Sequence, residues 1–407
     1  MRVFAPLLLL SFATFHTPAG RAAEPTDGDA ADGLEATAYE SNPATGTSLA
    51  VRVGGFPLVH TTQLLPLHEQ GDIVAPDDVA AQTRQVIQNL GAALAAADSS
   101  LDRVVKLNLY VSDDANVDGA MKILAQTFTH DPRPACSLVV TRLADPRALI
   151  AADAVAAARQ RSEEVKYVRG KSPAGRERPH QAAVLPDGKR IYISGQAEPG
   201  DLATATRKTL ASLLETLKFL HRGPRDIVQI KAFMSPMSEA DVVLREIETL
   251  FGENVPPVSL VEWISPLPIE IEVVAAGGGG PRAEPSVEYA TPPGLKSSPV
   301  FSRVAIARGD TIFVSGLFAA SAASGHEEVE AIFAQLTKAV EALGGNLRQL
   351  AKATYYVSGD ESSRALNDLR PRYYSPERPP AASKAQVRGV GRPGRTITLD
   401  MIAAPAR

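Results

Sequence analysis

The chain has a single cysteine, Cys136, among its 407 residues. One thiol cannot form an internal disulfide, so an exported chain of this composition must be held by its core alone. Charge of one sign is also missing. Lys and Arg number 42 against 46 Asp and Glu, a balance of −4, which offers no basic surface for nucleic acid as the main partner. Long apolar runs are absent: the stretch from Val3 to Phe15 falls short of the roughly 20 residues that cross a bilayer. The seven histidines are scattered, with no His-x-x-x-His, and there is no cysteine pair, so the usual metal-ligand spacings are missing. Gly277–Gly280 lacks the preceding strand and following lysine-bearing helix of a phosphate-cradling loop. No serine sits in a nucleophile elbow. Neither a metal nor a cofactor is expected.

What is present begins with Arg2, the apolar run, then Pro18, Gly20 and the small pair Ala22-Ala23. A charged start, a short apolar stretch and a small-residue exit read as a secretory signal over residues 1–22, with Gly20 and Ala22 at the −3 and −1 positions of the cut. No cysteine follows, which excludes a lipid anchor. Residues 23–33 are acidic, small and Pro/Gly-containing, and are expected to be a disordered lead-in. The mature chain is therefore expected to be secreted or periplasmic and free of the membrane.

One stretch occurs three times: Val104–Ser112, Ile227–Ser235 and Leu350–Ser358. The starts are equally spaced, since 227 − 104 = 123 and 350 − 227 = 123. Each copy is apolar and β-branched with single polar breaks, the pattern of a strand with at least one buried face. A period this long means whole domains rather than the short units of a solenoid. Around each copy the same order is read. A hairpin comes first (Leu49–Val59, Ala182–Ser194, Phe301–Ser315), then an amphipathic helix, the repeated strand, a second helix stopped by prolines, and two closing strands. The unit is β-β-α-β-α-β-β and the class α+β. The expected domains are 34–158, 163–276 and 285–405, with a Gly/Pro linker over 277–284.

These residues resemble the Rid family, the YjgF-type reactive-intermediate deaminases also known as L-PSP endoribonuclease-like proteins. Ile193-Ser194-Gly195-Gln196 is similar to the family's SGQ strand end, and Ile269–Ala275 to its closing IEIEAIA strand. Val314-Ser315-Gly316 and Thr398–Ala403 resemble the same two motifs in the third repeat, and Arg133-Pro134-Ala135-Cys136-Ser137 the RPARS segment in the first. The resemblance implies a chorismate-mutase-like fold and, because family members are usually homotrimers with clefts at the subunit boundaries, a monomeric chain folded as an intramolecular pseudo-trimer. Linked neighbours meet at high effective concentration, which favours that packing.

The family's chemistry is hydrolysis of amino-acid-derived imines and enamines. The resemblance assigns the substrate carboxylate to the arginine of PARS, whose planar fork suits it. That position holds Cys136, Val258 and Ala382, and losing such a clamp costs on the order of 1.5–3 kcal/mol of binding. Glu270 stands at the family's acid/base, with Ala151 and Thr398 in the other repeats. Glu270 and Glu272 point the same way by alternation, which leaves a solvated role open. Asn367 matches a cleft asparagine on the second helix, where Met121 and Leu244 stand elsewhere, and His180 takes the place of a cleft tyrosine. Ser194 and Gly195 offer backbone donors or simply fit a tight strand end. Cys136 reads either as a nucleophile activated beside Arg133 or as a small buried apolar residue. Arg142 and Arg388, each six residues beyond the lost arginine, are candidates for a replacement clamp. The expected function is binding of a small imine- or carboxylate-like metabolite in inter-domain clefts without the standard deaminase activity. The alternative is a diverged imine or enamine hydrolase using Glu270.

Overall fold

A computed structural model describes residues 26–27, 33–169, 179–279, 286–296 and 298–406. The expected signal, most of the lead-in and most of the Gly/Pro linker lie outside the described residues. Within the lead-in, Thr26–Asp27 form a strand, β1, paired with β2 (Ala36–Asn42). Strand β2 is followed by β3 (Thr47–Val53), β4 (Leu58–Thr61), α1 (Val79–Ala96), β5 (Val104–Val111), α2 (Val117–Thr127), β6 (Ala135–Val140) and β7 (Ile150–Ala157). The order returns as β8 (Lys166–Val168), β9 (Ala182–Leu185), β10 (Lys189–Gln196), α3 (Leu202–Phe219), β11 (Ile227–Met234), α4 (Ala240–Phe251), β12 (Val258–Glu262) and β13 (Ile269–Gly278). It returns again as β14 (Ser286–Ala290), β15 (Val304–Arg308), β16 (Thr311–Val314), α5 (Gly325–Ala342), β17 (Gly345–Val357), α6 (Asp360–Tyr373), β18 (Ala381–Gln386) and β19 (Ile397–Pro405).

Each unit therefore has one strand more than its periodicity announces. The leading strands β8 and β14 lie at the outer ends of the two sheets and are mostly half-buried or exposed, so their apolar alternation is weak. The linker is likewise shorter than expected, because Gly277 and Gly278 finish β13.

The long helices start where local chemistry says they should. Asp78, Asp201 and Ser324 each accept a hydrogen bond from the backbone N–H three residues on, and they repeat the same spacing, 201 − 78 = 324 − 201 = 123. Val86, Leu90 and Leu94 of α1, Leu210, Leu213 and Leu217 of α3, and Phe333, Leu336 and Val340 of α5 lie at helical spacing and bury one face against a sheet. Covering that face removes each sheet from water on one side.

The expected hairpins are not hairpins. Strands β9 and β10 flank a Pro186-Asp187-Gly188 turn, yet they belong to different sheets: β9 pairs with β4, and β10 with β13 and β15. In the same way β15 pairs with β10 of the preceding unit, and β3 pairs with β16 of the third. The turns hand the chain from a neighbour's sheet to its own. One sheet runs β12-β11-β13-β10-β15-β14. The other runs β18-β17-β19-β16-β3-β6-β5-β7-β4-β9-β8, joined at its middle by the single Ser48–Ala135 contact between β3 and β6.

The repeated strands lie deepest. Every residue of β5 and of β11 is buried. One face meets the helices; the other turns inward, where Val105, Val228 and Ala351 join a common apolar cluster.

Candidate functional site

At three boundaries between units a hydroxyl accepts from a backbone N–H of the next unit. The hydroxyl of Thr62, just past β4, accepts from Val258 N–H at 3.2 Å and donates to Val258 O at 2.8 Å. Ser194 Oγ accepts from Ala382 N–H at 2.8 Å and donates to Ser302 O at 2.5 Å. Ser315 Oγ accepts from Cys136 N–H at 2.7 Å and donates to Ser48 O at 2.6 Å. Each hydroxyl thus fixes the backbone of the residue that stands where the resemblance puts a carboxylate-binding arginine. The three side chains there are apolar or thiol and pack against the helical cores of their own units.

Glu270 separates one boundary from the other two. It lies beside Gly195, where a Cβ would fall 2.0 Å from its Oε1, so the carboxyl occupies the space a side chain would need. Gly195 N–H donates to Ser383 Oγ at 3.1 Å, which brings strands of two units to the carboxyl. Burial, and then the neighbouring Glu272, push Glu270 up to about 7, against a hydrogen bond from Ser383 that favours the charged form. It is therefore poised between acid and base near neutrality. Glu272 is no solvated bystander: it is 3% exposed and sits 2.8 Å from Lys352 Nζ. At the equivalent place in the third unit, Thr398 donates to Leu317 O and lies under Gly316, with no ionisable group.

The inward faces of the repeated strands carry buried charge at what the sequence pattern shows only as polar breaks. Lys106 Nζ donates to Asp400 at 2.9 Å, to Ser137 at 2.7 Å and to Val314 O at 2.7 Å. Asp153 accepts from Asn108, Tyr110 and Ser259. Burial opposes the charge on Asp400, but Lys106, Lys231 and Lys352 outweigh it and hold the carboxyl at about 2. A cavity of about 30 Å³ lies among Lys106, Lys231, Lys352, Glu272 and Asp400. His60, Asn108 and Gln229 also line it, each with one buried polar atom that finds no partner among the described residues. Burial lowers His60 to about 4, so its ring is neutral at pH 7. A signal was available: positions 106, 229 and 352 are Lys, Gln and Lys at the 123-residue spacing, and 108, 231 and 354 are Asn, Lys and Thr.

Residues 40–158 and 294–404 match the family described as "Endoribonuclease L-PSP". The chain belongs to this family. Among curated relatives it is 34% identical over 99 residues to a 3-aminoacrylate deaminase RutC of Acinetobacter baylyi, covering 24% of this chain and 78% of that protein. It is 33% identical over 101 residues to protein HMF1 of Saccharomyces cerevisiae, covering 25% and 78%. Among solved structures, the Rid-family protein YyfB of Yersinia pestis is 27% identical, with 34% of this chain and 97% of that one covered and a TM-score of 0.28. The matched segments are the first and third repeats; the middle one, whose motifs read most fully, lies between them.

In this L-PSP family chain the remaining candidates fall at separate places. His180 is 6% exposed; its Nδ1 meets Val255 O at 2.7 Å, its Nε2 accepts from Arg169 at 3.3 Å, and the ring packs on Tyr167. Both ring nitrogens are engaged in holding a loop. Burial pushes the Cys136 thiol up to about 12, and Arg133 is tied to Phe128 O, Thr129 O, Ser41 and Asp131 instead of activating it. The Cys136 side chain is half-buried and packs against the apolar core of its own unit. Arg142 and Arg388 converge on a carboxylate already supplied by the chain, Glu262, at 3.5 Å for Arg142 and in direct contact for Arg388. Asn367 Oδ1 accepts from Arg370 at 2.7 Å and lies 3.5 Å from Lys384 Nζ. Among the described residues, no group of three or more His, Cys, Asp or Glu is arranged to hold a metal, and no helix is long and apolar enough to cross a membrane.

Proposed function

We propose that this L-PSP family chain is an exported, three-domain intramolecular pseudo-trimer of the chorismate-mutase-like type. Its domains are 34–158, 163–276 and 285–405, and its inter-domain boundaries bind a small amino-acid-derived metabolite without the family's standard deaminase turnover. Support for the ring comes from the hydroxyl-to-backbone bonds, which link first unit to second, second to third and third to first. Support for export comes from residues 1–22. The observation that carries the loss of turnover is the set Cys136, Val258 and Ala382: no guanidinium stands at the clamp position of any boundary, and Arg142 and Arg388, six residues beyond two of those positions, are held by Glu262.

RutC is named a 3-aminoacrylate deaminase, so enamines are the substrates to try. Purified chain incubated with 2-aminoacrylate or 3-aminoacrylate is expected to release carbonyl product no faster than buffer. Acceleration that disappears in Glu270→Ala would overturn the reading and make the boundary at Glu270 a working hydrolase.

A further inference from the structure

We propose that the third repeat carries a small-oxyanion site made by Lys384 and Arg370, with Asn367 and Ser363 at its mouth. This deepens the binding reading by naming the ligand as an anion. Lys384 lies on β18 two residues after Ala382, so the two side chains share the face turned to α6. Its Nζ donates to Ser363 Oγ at 3.0 Å and lies 3.5 Å from Asn367 Oδ1. Arg370, 5% exposed, donates to the same Oδ1 at 2.7 Å. Its guanidinium lies over the Tyr355 ring, 5.3 Å from the centroid, and its Nε–H is buried without a partner.

Among the described residues no carboxylate comes within 4.0 Å of either cation, whereas the buried Lys106, Lys231 and Lys352 each have one. Two positive groups thus converge on one neutral amide oxygen. An ionised oxygen at that point would form charge-assisted bonds to both, which are stronger than those to an amide. Burial, and then the charge of Arg370, lower the Lys384 pKa, as expected of a cation lacking its counter-ion. An ammonium has three N–H donors, so one remains beyond those facing Ser363 and Asn367. Asn367 is exposed, which lets its amide turn aside and opens the pair to solvent.

The fold does not need charge here. With Asn367 matched to Met121 and Leu244, the positions of Arg370 are Leu124 and Ile247, and those of Lys384 are Leu138 and Leu260. All four are buried apolar residues of the other two cores. The third unit alone replaces packed aliphatics with cations, Arg370 buried and Lys384 half-buried, and buried charge without a partner is costly to keep. A carboxylate and a phosphate share the chemistry that would relieve it.

The test is calorimetric titration of the full chain with acetate, pyruvate and inorganic phosphate at constant ionic strength. Saturable binding of at least one is expected, weakened about ten- to a hundredfold in Lys384→Met and within a few-fold of wild type in Lys384→Arg, with circular dichroism confirming the fold of both. Preference for acetate or pyruvate identifies a carboxylate ligand; preference for phosphate identifies a phosphorylated one. No saturable binding, or equal affinity in folded Lys384→Met, overturns the site. Glu270→Gln in the same titration tells the two readings apart. If it leaves affinity intact while Lys384→Met destroys it, the oxyanion site stands and ligand binding at the Glu270 boundary fails.

Discussion

Buried charge is treated in two ways in this molecule. Along the inward faces of β5, β11 and β17, ammonium and carboxylate groups answer one another: Lys106 with Asp400, Lys352 with Glu272. Elsewhere, among the described residues, Glu270 of the second unit has no cation beside it, and half-buried Lys384 with Arg370 of the third has no anion. The paired set is structural, because its partners are already in place. The groups lacking counter-ions are the ones with affinity left over for something outside the chain.

The largest effect that would break this contrast is at Asp400. Asp400→Asn leaves Lys106 buried without its carboxylate and is expected to cost about 3–5 kcal/mol in urea unfolding; a loss below about 1 kcal/mol would show that the axis does not depend on pairing. Asp400 is held below its ordinary value, so its contribution is complete above pH about 4 and is lost as pH falls through about 2.

Glu270 should behave in the opposite sense. Its folded pKa is raised from 4.5 to about 7, so ionising it costs stability progressively across that window, and the full cost persists above it. Glu270→Gln is therefore expected to stabilise the chain by about 2–3 kcal/mol at pH 8 and by almost nothing at pH 4. Thermal unfolding at the two pH values measures it, and equal effects at both would place the carboxyl in contact with water.

A smaller effect sharpens the local geometry. Gly195→Ala pushes a methyl against the Glu270 carboxyl and should cost about 1 kcal/mol. Adding Glu270→Ala should recover most of that, as a double-mutant cycle will register. Additive losses would mean that the two residues do not touch.

Much of the fold was legible because the 123-residue period repeats strands, helix caps and helical faces together: Asp78, Asp201 and Ser324 mark helix starts that pattern alone also finds. The pairing of strands was not legible. The Pro186-Asp187-Gly188 turn has hairpin chemistry, but turn chemistry fixes a change of direction, not the partner of the strand that follows. At the site, Glu270 could be read from the closing-strand motif. Lys384 and Arg370 could not, being fourteen positions apart in sequence (384 − 370 = 14) on a strand and a helix and joined only by packing. Arg142 and Arg388 looked like a spare clamp because Glu262, which neutralises both, comes from another unit. Polar breaks in the repeated strands were visible, but their depth depended on neighbours that a linear pattern cannot supply.

The crossing of β9 onto β4, β15 onto β10 and β3 onto β16 has a consequence for how the chain can be divided. A fragment cut at any unit border leaves behind the hydrogen-bonding partners of its own first strands and carries a bare edge where its neighbour's should lie. Open edges of this kind invite indiscriminate pairing. The three segments are thus bound into a single folding cooperative, and a lesion in one border strand is felt by two sheets at once.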